Sequence, residues 1–377
     1  MDFDLTLILV AVPVIFGLGW LASRLDLRQL RIENRQAPKA YFKGLNFLLN
    51  EQQDQAIDAF IEAVQNDPDT SELHFALGNL FRRRGEYERA VRVHEHLLSR
   101  GDLSRTDRER AQHALALDFL KAGLLDRAEA ALRKLEGTPF EAQSRIALLA
   151  IYERSRDWGQ ASEIAQKLET AGAGSFNGRQ AHYLCEQAAS VPGDEAEALL
   201  RRAITIAPDA ARPRIELADL QMRRGQPEVA VDTLLALADW VPSAIALIAW
   251  PLAEAATTCG RETEALEMLK NSYELSPSLD VLGAIVALDK EIASPRDWYV
   301  RHLEREPSLV AAAQWIAGER LEHEQFHPLV QRALDHAVKP LTRYRCAACG
   351  FEAKQHFWQC PGCQAWDSYP ARRVEEL

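Results

Sequence analysis

Apolar and polar positions divide the chain into three parts. The first is an uncharged run from Leu5 to Ala22, whose eighteen residues would span about 27 Å as a helix, close to the ~30 Å hydrocarbon core of a bilayer. From residue 41 to about residue 310, small and aromatic residues return with a period near 34. A cysteine-rich tail follows from residue 341. The pattern predicts a membrane anchor, a helical repeat array and a small C-terminal module.

The charges beside the apolar run predict its orientation. Asp2 and Asp4 precede it, and six basic residues against two acids follow it: Arg24, Arg28, Arg31, Arg35, Lys39 and Lys43. Basic flanks stay in the cytoplasm, so we expect a periplasmic N-terminus and a cytoplasmic chain. A cleaved signal peptide would need a basic start and an A-x-A site, and a buried core helix is the other alternative. We predict a single-pass anchor over residues 1–23 and a basic juxtamembrane segment over 24–40, whose contact with lipid is left open.

The repeat period is the length of a tetratricopeptide (TPR) unit. Its clearest copy contains Gly44, Phe47, Ala56, Phe60, Ala63 and Pro68, and Gly78 follows Gly44 by 34 residues. A glycine stands five residues before a packing alanine four times: Gly85–Ala90, Gly123–Ala128, Gly225–Ala230 and Gly260–Ala265. The glycine permits a tight turn between two helices, and the alanine lets them approach closely. We predict an all-α, superhelical TPR solenoid over residues 41–310, with about seven units and a degenerate eighth whose exact number is left open.

Such arrays bind protein segments on their inner face and carry no chemistry of their own. The charged residues at 82–84 and at Asp54, Asp58 and Glu62 could line a binding groove, but solvated helix faces are the favoured interpretation. Cys185 and Cys259 are expected to be buried core thiols. The glycine-rich stretch 172–178 is a candidate boundary between two blocks of the array.

Composition excludes several classes of protein. With 47% apolar residues in 377, the chain can build a large core and is not disordered. A net charge of −11 argues against nucleic-acid binding, which needs a basic surface. Six cysteines are too few for a disulfide scaffold of this length.

Four of the cysteines have the spacing of a metal site. Cys346, Cys349, Cys360 and Cys363 form C-x2-C-x10-C-x2-C, in which two knuckles direct four thiolates at one ion. Zinc is the default and iron the alternative, since an all-sulfur tetrahedral shell suits both, whereas the cytoplasm disfavours two disulfides. A closed shell makes the ion structural, and His356 is unnecessary as a ligand. We predict a metal domain over 341–377 with an aromatic core of Tyr344, Phe351, Trp358 and Trp366.

A second motif, His323-Glu324-Gln325-Phe326-His327, matches the H-E-x-x-H of metalloproteases. That site needs both histidines on one continuous helix, but Pro328 displaces residue 327 from helical geometry and opens a new helix through Ala337. We therefore assign residues 311–340 to a helical connector and expect no catalytic residues and no bound cofactor other than the metal.

The anchor, the repeats and the segments YRCAACGF and QCPGCQAW together resemble the lipopolysaccharide assembly protein B family of Gram-negative bacteria. The resemblance implies a cytoplasm-facing inner-membrane adaptor that promotes degradation of the deacetylase LpxC by the membrane protease FtsH, with other lipopolysaccharide assembly proteins as further partners. It also implies a rubredoxin-type domain in which the four cysteines hold the metal. Gln364 stands where a rubredoxin has glycine, which weakens an electron-transfer role. An iron redox protein and a general membrane-tethered scaffold remain alternatives, and self-association is left open.

Overall fold

A computed structural model describes Phe16 and residues 41–290, 296–319 and 323–377, with the backbone alone at Arg296 and Glu324. Apart from Phe16, the predicted anchor and the basic segment lie outside the described residues. Within the ranges given, no helix is long and apolar enough to cross a membrane.

The chain forms two compact units, one ending at Ser155 and one beginning at Arg156. The first unit consists of antiparallel helix hairpins. Its described helices are α1 (residues 41–49), α2 (Gln53–Asn66), α3 (Ser71–Arg84), α4 (Tyr87–Ser99), α5 (Arg105–Lys121), α6 (Leu125–Arg133) and α7 (Glu141–Ser155).

The second unit continues the hairpins and ends in the cysteine-rich module. Its described helices are α8 (Trp158–Thr170), α9 (Asn177–Ala188), α10 (Gly193–Ile206), α11 (Ala211–Arg223), α12 (Pro227–Trp240), α13 (Ile245–Cys259), α14 (Glu262–Leu275), α15 (Leu279–Leu288), α16 (Arg296–Arg305), α17 (Leu309–Ala317) and α18 (His327–Val338). Short 3-10 turns occupy Pro242–Ala244, Glu324–Phe326 and Val374–Glu376. A two-stranded antiparallel sheet, β1 (Tyr344–Arg345) and β2 (Glu352–Ala353), pairs Tyr344 with Ala353.

The repeat turns have the geometry that the sequence predicts. Each of the four turn glycines has a positive φ: Gly85 (83°), Gly123 (77°), Gly225 (72°) and Gly260 (75°). Each alanine five residues later is fully buried: Ala90, Ala128, Ala230 and Ala265. Residues with a side chain rarely adopt this backbone conformation, so the glycines let each helix end and reverse within two or three residues. The predicted all-α TPR fold is confirmed.

The predicted block boundary at 172–178 is wrong, because the units divide at Ser155. Hydrogen bonds close the glycine-rich loop onto α8. The Glu169 carboxylate accepts from Phe176 N at 3.1 Å and from the Gln180 side chain at 3.3 Å, and Ala173 N donates to Leu168 O. The glycine-rich composition of this loop therefore does not make it a boundary between two blocks of repeats.

The charged residues that the sequence assigns to solvated helix faces do not all lie on the surface. Arg84 pairs with Asp54, and Lys43 lies 3.9 Å from Glu62. Arg82 differs, because its guanidinium donates at 2.8 Å to Asp118, which is fully buried on α5. The surface interpretation is therefore wrong for Arg82, whose charge neutralises a buried carboxylate.

The buried partner of Asp118 is His94 on α4, whose Nδ1 lies 2.5 Å from the carboxylate. Gly78 on α3 makes room for this imidazole, since a Cβ there would lie 2.5 Å from His94 Nε2. Of the two lone thiols, Cys185 is fully buried as expected, whereas Cys259 is only partly buried.

The two histidines of the H-E-x-x-H motif do not share a helix. A 3-10 turn covers Glu324–Phe326, and α18 begins at His327 with Pro328 in its first turn. The helix thus includes His327, contrary to the prediction, and ends at Val338 rather than Ala337. His327 Nε2 lies 3.1 Å from Ile316 O, so this side chain faces α17.

Candidate metal centre

Two similar backbone knuckles carry the four cysteines. In each knuckle the first cysteine accepts a hydrogen bond from the amide four residues later and donates one to the carbonyl five residues later. The bonds are Gly350 N to Cys346 O (2.9 Å), Cys346 N to Phe351 O (2.9 Å), Gln364 N to Cys360 O (2.8 Å) and Cys360 N to Ala365 O (2.9 Å). The repeated pattern directs both thiols of each C-x2-C to the same side of its loop.

The residue after each second cysteine has a left-handed backbone. Gly350 has a φ of 78°, and Gln364, at the matching place in the second knuckle, has a φ of 64°. Glycine adopts this conformation freely, whereas a residue with a Cβ is strained there by about 1–2 kcal/mol. The glutamine that departs from the rubredoxin pattern therefore keeps the knuckle geometry at an energetic cost.

The sulfur positions fit a tetrahedral ion. Cys346 Sγ lies 3.8 Å from Cys363 Sγ, Cys349 Sγ lies 3.7 Å from Cys360 Sγ, and all four atoms lie within 4.8 Å of one another. A tetrahedral site with metal–sulfur bonds of about 2.3 Å has sulfur–sulfur edges of about 3.8 Å. The four predicted ligands therefore come together with the spacing that zinc or iron requires, and no position is left for a substrate.

In both knuckles the first cysteine is buried and the second is exposed. Cys346 and Cys360 are buried, whereas Cys349 and Cys363 are exposed. Burial of Cys346 opposes ionisation, but the Ser368 hydroxyl, 3.3 Å from its sulfur, and the Cys349 backbone amide outweigh this effect and lower the thiol pKa to about 6. A thiol that ionises readily is suited to bind a cation.

The core of the module differs from the predicted aromatic set. Tyr344 is buried as predicted, and it packs with Tyr369 and the two buried cysteines. Phe351 is 44% exposed, so it is not part of this core. Burial raises the pKa of Tyr369, whose hydroxyl lies 4.0 Å from Cys360 Sγ and donates to Phe351 O.

Of the two other predicted core residues, Trp366 contacts α9 instead, whereas Trp358 contacts both α9 and His356 of the module, whose ring centroid is 4.7 Å away. Trp366 stacks on His182 with ring centroids 4.6 Å apart, and Trp358 lies 6.1 Å from the same imidazole. His182 Nε2 lies 2.8 Å from the Asp367 carboxylate, and the histidine is only 2% exposed. These contacts join the metal module to a repeat helix about 180 residues earlier in the chain.

The C-terminal tail makes a second attachment. Arg373 donates twice to Asp280 on α15, at 2.7 and 2.8 Å, and its guanidinium lies 4.1 Å from the centre of the Tyr344 ring. Glu375 accepts from Leu309 N at the start of α17, and Glu376 accepts from Leu279 N at the start of α15. Two carboxylates of the tail therefore cap two repeat helices.

Sequence reasoning missed these docking residues. His182, Asp280 and Arg373 are charged or polar residues whose local pattern is that of a solvated surface, and their partners lie about 90 to 185 residues away. The local signal that could have found them is the density of aromatic residues around the knuckles. His356 is not among the clustered ligand atoms; its Nε2 lies 3.0 Å from Tyr369 O, and burial lowers its pKa.

Comparisons with known proteins agree with this architecture. The family described as "Rubredoxin metal binding domain" matches residues 344–369, and two tetratricopeptide repeat families match residues 73–109 and 193–249. The fold and the site define a TPR protein with a rubredoxin-type metal-binding module.

Full-length relatives identify the family. The chain is 30% identical to lipopolysaccharide assembly protein B of Escherichia coli K12, over 99% of this chain and 100% of that protein. It is 28% identical to the protein of the same name from Haemophilus influenzae, over 96% and 97%. The chain therefore belongs to the lipopolysaccharide assembly protein B family. A solved TPR protein from Parabacteroides merdae is weakly similar, with 14% identity, a TM-score of 0.36 and coverage of 67% of this chain and 99% of that one.

Proposed function

We propose that this chain is a non-enzymatic adaptor in lipopolysaccharide assembly. The observation that carries the proposal is the attachment of a four-cysteine module to repeat helices through His182, Asp280 and Arg373, in a chain related along its whole length to lipopolysaccharide assembly protein B. TPR hairpins present surfaces for protein segments. The sulfur cluster leaves no coordination position for a reactant, so its role is to hold structure.

We further propose that Cys346, Cys349, Cys360 and Cys363 bind one ion, with zinc favoured over iron. The ion would supply the folding free energy that a module of about thirty residues cannot obtain from its own core. Metal analysis of protein purified without added metal separates the two: a colourless protein with one zinc supports the proposal. A coloured, iron-loaded protein that accepts and returns one electron would favour the redox alternative.

The proposed location is the cytoplasmic face of the inner membrane. Its support is the uncharged run from Leu5 to Ala22 with basic residues on its C-terminal side. We include in this proposal the domain boundaries predicted from the sequence: the anchor ends at residue 23, the basic segment at 40, the repeat array at 310 and the helical connector at 340. A tether to the membrane would raise the local concentration of membrane-bound partners, as a short linker does.

The proposed partners are FtsH and LpxC, with the chain promoting LpxC degradation. The test measures LpxC half-life after protein synthesis is stopped in a strain that lacks the gene. Complementation with the wild-type chain should restore rapid turnover, whereas a chain without residues 1–23 or a Cys349→Ser chain should not. Unchanged LpxC turnover in the deletion strain would refute this role, although the metal assignment would stand.

A further inference from the structure

A second site lies beside the metal module, away from the sulfur cluster. A cavity of about 600 Å³ opens between the module and the helices α13, α15, α16 and α17. Its volume is in the range of sites that bind ligands or short peptide segments. Apolar side chains form part of its walls, with Trp250 on α13, Val286 on α15 and Tyr299 on α16, and two lysines stand at its rim. We call this cavity the lysine-rimmed groove.

Trp250 forms an exposed apolar wall of the groove. Gly283 on α15 allows the indole to lie against the α15 backbone, because a Cβ at residue 283 would come within 2.7 Å of the ring. Trp250 nevertheless remains 48% exposed. A rigid, half-exposed tryptophan in a concave site is a typical anchor for a partner's apolar side chain.

The rim of the groove is positively charged. Lys339 and Lys354 are exposed, and neither ammonium group forms an ion pair within the part of the chain that the structure describes. The charge of Arg373 is balanced by Asp280, the one carboxylate among the described lining residues. The lining therefore carries two uncompensated positive charges on a chain whose net charge is −11. The complementary partner is anionic.

The rim is held in place rather than loosely attached. Arg373 Nη1 donates to the carbonyl of Thr342 at 2.8 Å and to the carbonyl of Lys354 at 3.4 Å, while its Nε and Nη2 donate to Asp280. One guanidinium thus fixes the segments that carry both lysines against α15. This preorganisation reduces the ordering cost of binding.

We propose that the lysine-rimmed groove binds an acidic–apolar segment of a partner protein. An apolar side chain would pack on Trp250, and aspartate or glutamate side chains next to it would pair with Lys339 and Lys354. The proposal rests on the adaptor function proposed above and names the chemistry of the segment that the adaptor takes.

The test uses the full-length chain in detergent and a fluorescent, amidated nine-residue peptide in which Leu-Phe is followed by three glutamates. Fluorescence polarisation should show saturable binding that weakens as salt is raised from 50 to 300 mM. Peptides with lysines in place of the glutamates, or serines in place of Leu-Phe, should bind at least about tenfold more weakly. If an unamidated peptide without glutamates binds equally well, the groove recognises a free C-terminus and the proposal is wrong.

Protein variants locate the site. Lys339→Glu with Lys354→Glu, and separately Trp250→Ala, should each weaken binding about tenfold or more while the thermal unfolding temperature is retained. The matched control is Lys121→Glu with Lys134→Glu, which makes the same charge change on two exposed lysines of the first unit and should leave affinity within about twofold. Equal losses in the control and the groove variant would show a non-specific charge effect and overturn the proposal.

The two proposals can fail separately. If the peptide binds as expected but LpxC turnover does not depend on the chain, the groove proposal is supported and the proposal that FtsH and LpxC are the partners is refuted. If LpxC turnover depends on the chain but the peptide does not bind, only the groove proposal is refuted. The same conclusion follows if the groove variants support normal LpxC turnover.

Discussion

Removal of the Arg373 guanidinium tests whether the metal site and the repeat helices are energetically coupled. In the wild-type chain, Arg373 makes a bidentate pair with Asp280 at 2.7 and 2.8 Å. Arg373→Met keeps an unbranched side chain of similar reach but leaves the carboxylate without its cation. The neighbouring Arg372→Met is a matched control, because exposed Arg372 donates a single bond at 2.7 Å to the Ser276 hydroxyl.

The size of the effect follows from burial. Asp280 is 7% exposed, and breaking a buried ion pair by removing one partner costs about 3–5 kcal/mol. The Arg373 side chain is 21% exposed, so solvent screening reduces the expected loss to about 2–3 kcal/mol. If the module folds only with its metal, the docked contacts stabilise the metal-bound state alone. The loss then appears as metal affinity weakened by about 30- to 160-fold.

The assay is equilibrium competition for zinc between the purified chain and a chromogenic chelator. Arg373→Met should lose zinc at much lower chelator concentration than the wild type, whereas Arg372→Met should stay within about threefold. Adding Asp280→Asn to Arg373→Met should recover part of the affinity, because the uncompensated carboxylate is removed. Equal zinc affinities for Arg373→Met and Arg372→Met would refute the coupling between docking and metal binding.

Three further predictions concern single residues. Cys349→Ser should release the metal and unfold the C-terminal module, measured by metal content and proteolysis, and full retention of metal would contradict the four-ligand assignment. Gln364→Gly should raise the unfolding temperature of the module, because it relieves about 1 kcal/mol of backbone strain at a φ of 64°. Gly350→Ala should lower the unfolding temperature, because it introduces the same strain. Burial lowers the pKa of His302, whose Nδ1 lies 2.6 Å from the Tyr273 hydroxyl, so its contribution to stability is complete above the unfolded-state pKa of about 6.5 and is lost as the pH falls. Denaturant unfolding at pH 7.5 and 5.5 should show a smaller pH dependence for His302→Gln than for the wild type, and equal dependence would contradict the assignment.

The sequence was most informative where a local rule determines a residue. The glycines of the repeat turns needed a positive φ, the alanines five residues later needed to be small, and both properties are visible within a few positions. The same holds for the knuckles, where the C-x2-C spacing alone brings two sulfurs to one side of a loop. Such signals depend only on neighbouring residues in the chain, so they can be recognised before the fold is known.

Residues whose partners are distant in sequence were not predictable in this way. Trp366 has the composition of a core residue for a small domain, yet its ring packs on His182 of a repeat helix. Arg82 has the pattern of a solvated helix end, yet it neutralises Asp118 on the second helix after its own. An aromatic or charged residue contains no local information about which distant surface will cover it, and only the assembled hairpins supply that surface.

The docked tail connects metal binding to the shape of the last repeats. Helix N-termini have unpaired backbone amides, and a capping carboxylate contributes about 0.5–2 kcal/mol. Glu375 and Glu376 supply such caps to α17 and α15, and Arg373 fixes the rim of the lysine-rimmed groove. These three residues can hold their positions only while the module is folded, and a module of this size needs its ion to fold. Loss of the ion would therefore remove one wall of the groove and two helix caps together, so we expect binding at the groove to depend on the closed, unreactive metal site.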